Sequence, residues 1–340
     1  MECLSIENSA LFAGDNHLLV GRVYVQGYGH QALILDEKVK RAYLLGGVEN
    51  ESLYSVKTCP WGYAAVGHSG ERALILLYKR NSLRAYLGPK GILWQTDCHI
   101  AVGGKEGRQW NLLIVDLKTK RGKVYAARGN IYAYSFDKLE DNYRLVGRVG
   151  PEGNYDGFVL TLGRGLYVRK ALRSGWMEND YLRFVRKGIA VGRFEVGGNS
   201  EGFLFELKDM RTYLYRREGF DYFRQAYDGL IFGEAEDENG VRKALKVEGD
   251  QGYLFGEGFS AIRFYHPGRG RAYGYVYRGD KVYGLAIDGK GDKELVYRVE
   301  TAPLRWKEFK LRRLSDVGFL SFTFETHKLN YRWKSCEELP

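Results

Sequence analysis

A short apolar run ending on glycine recurs along the chain, and this recurrence limits the fold more than any other feature. HLLVG ends at Gly21, YAAVG at Gly67, HIAVG at Gly103, YRLVG at Gly147, GIAVG at Gly192, GLIFG at Gly233 and RAYG at Gly274. Successive glycines are 46, 36, 44, 45, 41 and 41 residues apart. A repeat of this size marks an array of supersecondary units, each of which buries its apolar surface against its neighbours.

Each unit reads as four strands. In the stretch holding Gly62 to Gly88 these are Ser52 to Thr58, Tyr63 to His68, Arg72 to Tyr78 and Leu83 to Leu87, with Cys59-Pro60-Trp61-Gly62 as the first turn. The next unit repeats the pattern as GILWQTD, HIAVGG, WNLLIVDL and GKVYAAR. Apolar runs of this length between Gly, Asp and Asn are buried strands. The 26 Tyr and 44 Gly suit pleated surfaces and tight turns, and no segment combines helical periodicity with caps. A β-sandwich has many short strands but no reason to reset its pattern every forty-odd residues.

Over nearly its whole length this pattern resembles the β-propeller superfamily. The likeness is architectural: the WD-type and RTX signatures are missing and the kelch double glycine occurs at most once, near Gly103-Gly104, so no functional residue is carried over from a subfamily. The resemblance implies an all-β, single-domain ring of four-stranded blades, with ligands at the mouth of a central channel or partners on a flat face. Eight blades are favoured, over 8–48, 51–88, 91–128, 130–172, 178–218, 220–258, 259–300 and 302–336 of the 340 residues. The last, PLRWKEFK, VGFLSFTF and KLNYRW from Pro303 to Trp333, lacks an outer strand, which the N-terminal ECLSIE (2–7) is expected to supply, closing the ring. Seven blades is the alternative.

That closure would bring Cys3 and Cys336 together as a candidate disulfide, set against two free thiols in a reducing cytosol. Cys59 and Cys98 end inner strands of adjacent units, and apolar packing is the default for both. The N-terminus lacks the basic and apolar regions of a signal peptide, and no window approaches eighteen apolar residues, which predicts a cytoplasmic protein without a membrane partner. High charge with few Met resembles the composition of hyperthermophile proteins. The net charge of +10 permits an acidic partner, protein or nucleic acid.

The most distinctive chemical pattern is a set of arginines. Inner strands of four late units read DYLRF, DYFRQ, SAIRF and PLRWK, giving Arg183, Arg224, Arg263 and Arg305 one register. Earlier units place Phe12, Ser55, Trp94 and Ala133 there. Four such arginines would form an arc beside the axis, and the planar guanidinium fork suits phosphate or carboxylate. The competing arrangement turns them sideways between blades, onto carboxylates or onto Tyr181, Tyr222 and Phe264. Arg186, Lys187, Arg216, Arg217, Lys307, Lys310, Arg312 and Arg313 add positive charge that could face nucleic acid or solvent.

Catalytic patterns are weaker. His17, His68, His99 and His266 are too dispersed for a metal centre, and Asp15, Asp97, Asp141 and Asp228 occupy turn positions that favour aspartate. No nucleophile elbow, zinc-protease motif or dinucleotide loop is present. The sequence therefore predicts a non-enzymatic interaction platform without a cofactor, binding an acidic partner through a basic channel or face. The alternative is a hydrolase or lyase acting at the channel mouth on an anionic carbohydrate or phosphate ester.

Overall fold

A computed structural model describes residues 1–47, 49–289, 291–302 and 304–340. The chain is a β-propeller, built almost wholly of antiparallel strands. Its innermost strands are Ser9–Asp15, Glu51–Cys59, the 91–96 half of Ser82–Thr96, Asn130–Leu139, Asp180–Arg186, Asp221–Tyr227 and Ser260–His266. Each packs against the next, and the last returns to the first.

Five blades stand as separate five-stranded sheets, and the remaining strands form one nine-stranded sheet. The larger sheet arises because Ser82–Thr96 runs without a break from one unit to the next, pairing through 82–87 with Arg72–Lys79 and through 91–96 with Ile100–Lys105. The expectation of eight, or seven, four-stranded blades is thereby corrected.

The fifth strands come from the segment read above as an eighth blade. Its expected start at Pro303 lies outside the described residues, as does Val48, the expected end of the first unit. The C-terminal chain passes around the rim against the direction of the units. Lys293–Val296 pairs with Gln251–Phe255, Arg298–Thr301 with Arg211–Arg216, and Lys307–Glu308 with Val168–Arg173. Arg312–Gly318 then pairs with Arg121–Ala126, Leu320–Phe322 with residues 85–87, and Glu325–Asn330 with Arg41–Gly46. Trp333–Ser335 ends the circuit on Glu2–Glu7. Nor does Glu2–Glu7 complete an eighth unit, since it lies fourth in the sheet that begins at Ser260–His266, between Lys281–Ile287 and Trp333–Ser335.

This belt covers strand edges that would otherwise offer unpaired backbone groups to other chains. Aromatic side chains fix it to the rim. Trp306 stacks on Phe205 at 4.5 Å, Phe309 meets Phe158 at 6.2 Å, and the Tyr297 hydroxyl donates to Asp221 Oδ1 at 2.7 Å. Phe319 fills the space over Gly88, where an added Cβ would come within 2.4 Å of its ring. Beyond the last strand, Cys336 is bonded to Cys3, clasping belt to N-terminal strand across 333 residues of sequence. A second bond joins Cys59 to Cys98, so neither is a free apolar thiol.

The recurring glycine has a steric cause. In every unit it faces the inner strand where that strand bulges: Gly21 pairs with Leu11 and Val20 with Ala13, Gly192 with Leu182 and Val191 with Phe184. A Cβ on Gly21 would lie 1.9 Å from the Ala10 carbonyl oxygen, and one on Gly192 1.9 Å from that of Tyr181. The other five glycines make the same approach, at 1.8–2.1 Å.

Two outcomes follow from this construction. Gly192→Ala should lose about 1–3 kcal/mol in denaturant melts, whereas Gly318→Ala on the belt, with open space around it, should stay within about 0.5 kcal/mol; equal effects would remove the steric account. Cys336→Ser should lower unfolding stability by about 2–5 kcal/mol in calorimetry under non-reducing conditions. An unchanged transition would mean that strand pairing and the aromatic anchors alone hold the belt.

Candidate anion site at the propeller axis

A bulge places two residues of one strand opposite one of its partner, leaving the extra side chain outside the alternation. The residues so displaced are Phe12, Tyr54, Trp94, Tyr134, Arg183, Arg224 and Arg263. All seven line a single chamber of about 180 Å³ on the axis. Phe12, Tyr54, Trp94 and Arg263 also border a second chamber of about 300 Å³, which opens towards Arg22, His30 and Tyr277. Four of the seven side chains thus stand between the two chambers.

The ring has two unlike halves. Phe12, Tyr54, Trp94 and Tyr134 make a continuous aromatic arc, with successive ring centroids 5.3, 4.6 and 5.5 Å apart. The other arc is three arginines from consecutive units. Arg183 lies 4.8 Å from the Tyr134 ring and Arg263 4.6 Å from the Phe12 ring, so each end of the cationic arc rests on an end of the aromatic one. Arg224 stacks on Tyr222 at 4.3 Å and reaches Glu234 Oε1 at 3.1 Å. The two arrangements set against each other in the sequence are therefore both realised: Arg224 has a sideways carboxylate partner and an aromatic shelf, yet it borders the channel with Arg183 and Arg263.

Charge is incompletely balanced here. Among the described residues Arg224 alone of the three has a carboxylate within ion-pair distance. Burial, then the adjacent Arg224 and Arg183, hold the Arg263 guanidinium down to about 10. Burial likewise lowers Arg183, with Arg224 adding to the effect. For Arg224 burial also acts downward as the largest single cause, but Glu234 together with Tyr222 and Tyr275 holds the group above its ordinary value. Two buried donors of the ring, Trp94 Nε1 and Arg224 Nε, have no acceptor among the described residues. Three guanidiniums thus line a small chamber beside Trp94, whose indole N–H has no acceptor among the described residues, a donor set complementary to an anion.

At four of the seven bulges the following residue hydrogen-bonds the neighbouring unit. Ser55 Oγ accepts from Thr96 N at 3.1 Å, Gln95 Nε2 donates to Phe136 O at 2.8 Å, Ser135 Oγ accepts from Val185 N at 3.1 Å, and Gln225 Oε1 accepts from Tyr265 N at 3.0 Å. This corrects the register: the bulges displace Tyr54 and Tyr134, not Ser55 and Ala133. Arg305 is also corrected, because it lies exposed on the belt, away from the other three arginines.

Much of the remaining charge is engaged elsewhere. Arg186 stacks on Tyr227 at 3.8 Å and pairs with Asp228, Arg216 pairs with Glu201 and Glu300, and Arg217 pairs with Asp221. Asp15 Oδ2 accepts from the Thr58 amide and hydroxyl, both at 2.7 Å, Asp97 caps the amides of His99 and Ile100, and Asp141 faces Arg164. His266 Nε2 lies 2.7 Å from the Asn16 carbonyl oxygen, and His68 stacks on Tyr54. Among the described residues no three His, Cys, Asp or Glu side chains converge as a metal centre would require.

No protein-family model matches the chain, and no curated protein matches its sequence. With no anion bound, the three arginines repel one another, so Arg263→Met should leave stability unchanged or raise it by about 1 kcal/mol in low-salt urea melts. A loss of more than about 1 kcal/mol would make Arg263 a structural cation.

Proposed function

We propose that the protein is a non-enzymatic binding module whose axial arginines take one acidic side chain of a protein partner. The observation that carries this reading is the convergence of Arg183, Arg224 and Arg263 on one chamber with a single carboxylate partner among them. The chamber, about 180 Å³, is smaller than the roughly 300–1,000 Å³ of drug-sized ligand pockets. It suits a carboxylate on a short stem, presented by a protruding loop or chain end. Burial of that carboxylate among guanidiniums would form charge-assisted hydrogen bonds and relieve their mutual repulsion.

The carboxylate lining this chamber, Asp15, is committed to Thr58, and Glu234 to Arg224. This favours binding over acid–base hydrolysis at the mouth. No helix of the described residues is long and apolar enough to cross a membrane. Both cysteine pairs are closed, which favours a setting where thiols are oxidised. A cytoplasmic location accords with that only in a cell of the hyperthermophile type, whose intracellular proteins are rich in disulfides.

The reading is tested by titrating a hexaglutamate peptide calorimetrically into the oxidised protein. Hexaglutamate should bind at least tenfold more tightly than hexaglutamine, and Arg183→Gln with Arg263→Gln should abolish the difference while the melting transition persists. Equal affinity for the two peptides, or an unaltered preference in the double variant, would overturn it.

A further inference from the structure

Away from the axis, a groove of about 850 Å³ opens where the second, third and fourth units meet the belt. Its cations come from distant parts of the sequence. The turn in KTKRGK supplies Lys118, Arg121 and Lys123, the preceding unit Lys79, and the belt Arg313. Strand pairing brings the two basic stretches together, with Lys123 opposite Asp316 and Tyr125 opposite Arg313. Folding thereby concentrates charge that is dispersed in the chain.

The groove's carboxylates do not neutralise it. Asp116 Oδ1 accepts from the backbone amides of Lys118 and Thr119, shaping the turn, and Asp316 pairs with Arg313. Among the described residues Lys79, Lys118, Arg121 and Lys123 have no carboxylate within ion-pair distance, and Arg313 is the one groove cation that does. The hydroxyl of Tyr167 reports the excess: Lys123, by hydrogen bond and charge, and then Arg313 hold it below its ordinary value.

Aromatic rings are interleaved with these cations. Tyr167 is 51% exposed, with Lys123 Nζ 3.5 Å from its ring centroid and Arg313 Cζ at 5.6 Å. Trp61 stands on the facing wall under Lys79 Nζ, at 4.5 Å. The Cys59–Cys98 bond ties the turn bearing Trp61 to the next unit at His99, so this wall is fixed before any ligand arrives. A track of cations, all but Arg313 without a carboxylate partner among the described residues, beside an exposed ring can hold a phosphate backbone and stack an unpaired base, whereas a duplex keeps its bases enclosed.

We propose that this groove binds single-stranded nucleic acid, with Lys79, Lys118, Arg121, Lys123 and Arg313 taking backbone phosphates and Tyr167 stacking on a base. The site is separate from the axial arginines, and neither depends on the other.

Fluorescence anisotropy of a labelled ten-residue oligothymidylate, with the full oxidised chain and a salt series, provides the test. Five phosphate contacts predict a slope of log affinity against log salt of about −3.5. The double variant Arg121→Gln/Lys123→Gln should bind at least tenfold more weakly, with the slope shallower by about 1.4. Tyr167→Ala, at an exposed position, should weaken binding by about fivefold or more without changing the slope. Arg183→Gln at the axis should bind as the parent does. Absence of binding at 50 mM salt, or unchanged affinity in the double variant, would overturn the proposal. So would retention of full affinity by Tyr167→Ala with heparin competing equally in parent and variant, because that describes a general polyanion surface.

Discussion

The structure depends on one close approach, between a glycine of the second strand and a carbonyl of the inner strand, repeated around the axis. The missing side chain lets the inner strand bulge. The bulge then assigns two successive residues opposite tasks. One goes to the channel, and at four of the seven bulges the next hydrogen-bonds the neighbouring unit, as Trp94 and Gln95 show. A single local irregularity therefore sets both the chemistry of the channel and part of the contact between blades. The bulge turns the axial residue towards the channel, and Phe, Tyr, Trp and Arg all occupy the position.

The belt addresses a different constraint. A ring of radial sheets leaves every outer edge unpaired, and here one segment of the chain covers them in turn, ending at a disulfide. Its contacts are far apart in sequence: Glu325–Asn330 pairs with Arg41–Gly46, and Trp333–Ser335 with the N-terminal strand. Each belt strand needs its blade in place before it has an edge to join. The aromatic anchors at Tyr297, Trp306, Phe309 and Phe319 make that joining specific, since each fills a particular site on the rim.

The propeller architecture was legible in the sequence because the glycine repeat and the bulge share one steric cause. The belt was not. PLRWKEFK, VGFLSFTF and KLNYRW are short β-prone runs, and local pattern cannot distinguish strands that pair with each other from strands that each pair with a different sheet. Their burial makes the difference clear afterwards: Glu325–Asn330 is exposed throughout, which a blade's second or third strand would not be. Three axial arginines were visible from their common spacing, but Tyr54 and Tyr134 were missed. The inner strands of their units, Glu51–Cys59 and Asn130–Leu139, have 9 and 10 residues against 7 in Ser9–Asp15 and Asp180–Arg186, which shifts the count from the glycine. A better guide is the triplet of an apolar residue, a large axial one and a sideways one: LFA, LYS, LWQ, AYS, LRF, FRQ and IRF. Arg305 shares the LRW spelling without a glycine opposite it, so there is no bulge to turn it inward.

Together these features give a rigid ring with an uneven interior, aromatic on one side and cationic on the other. The most direct test is an anomalous difference map from crystals soaked in selenate, an anion small enough for the axial chamber. A selenium peak within hydrogen-bond distance of the Arg183, Arg224 and Arg263 guanidiniums, lost in the Arg183→Gln/Arg263→Gln variant, is the predicted result. An axial chamber without anomalous density, in crystals where selenate occupies other cationic sites, would contradict the account.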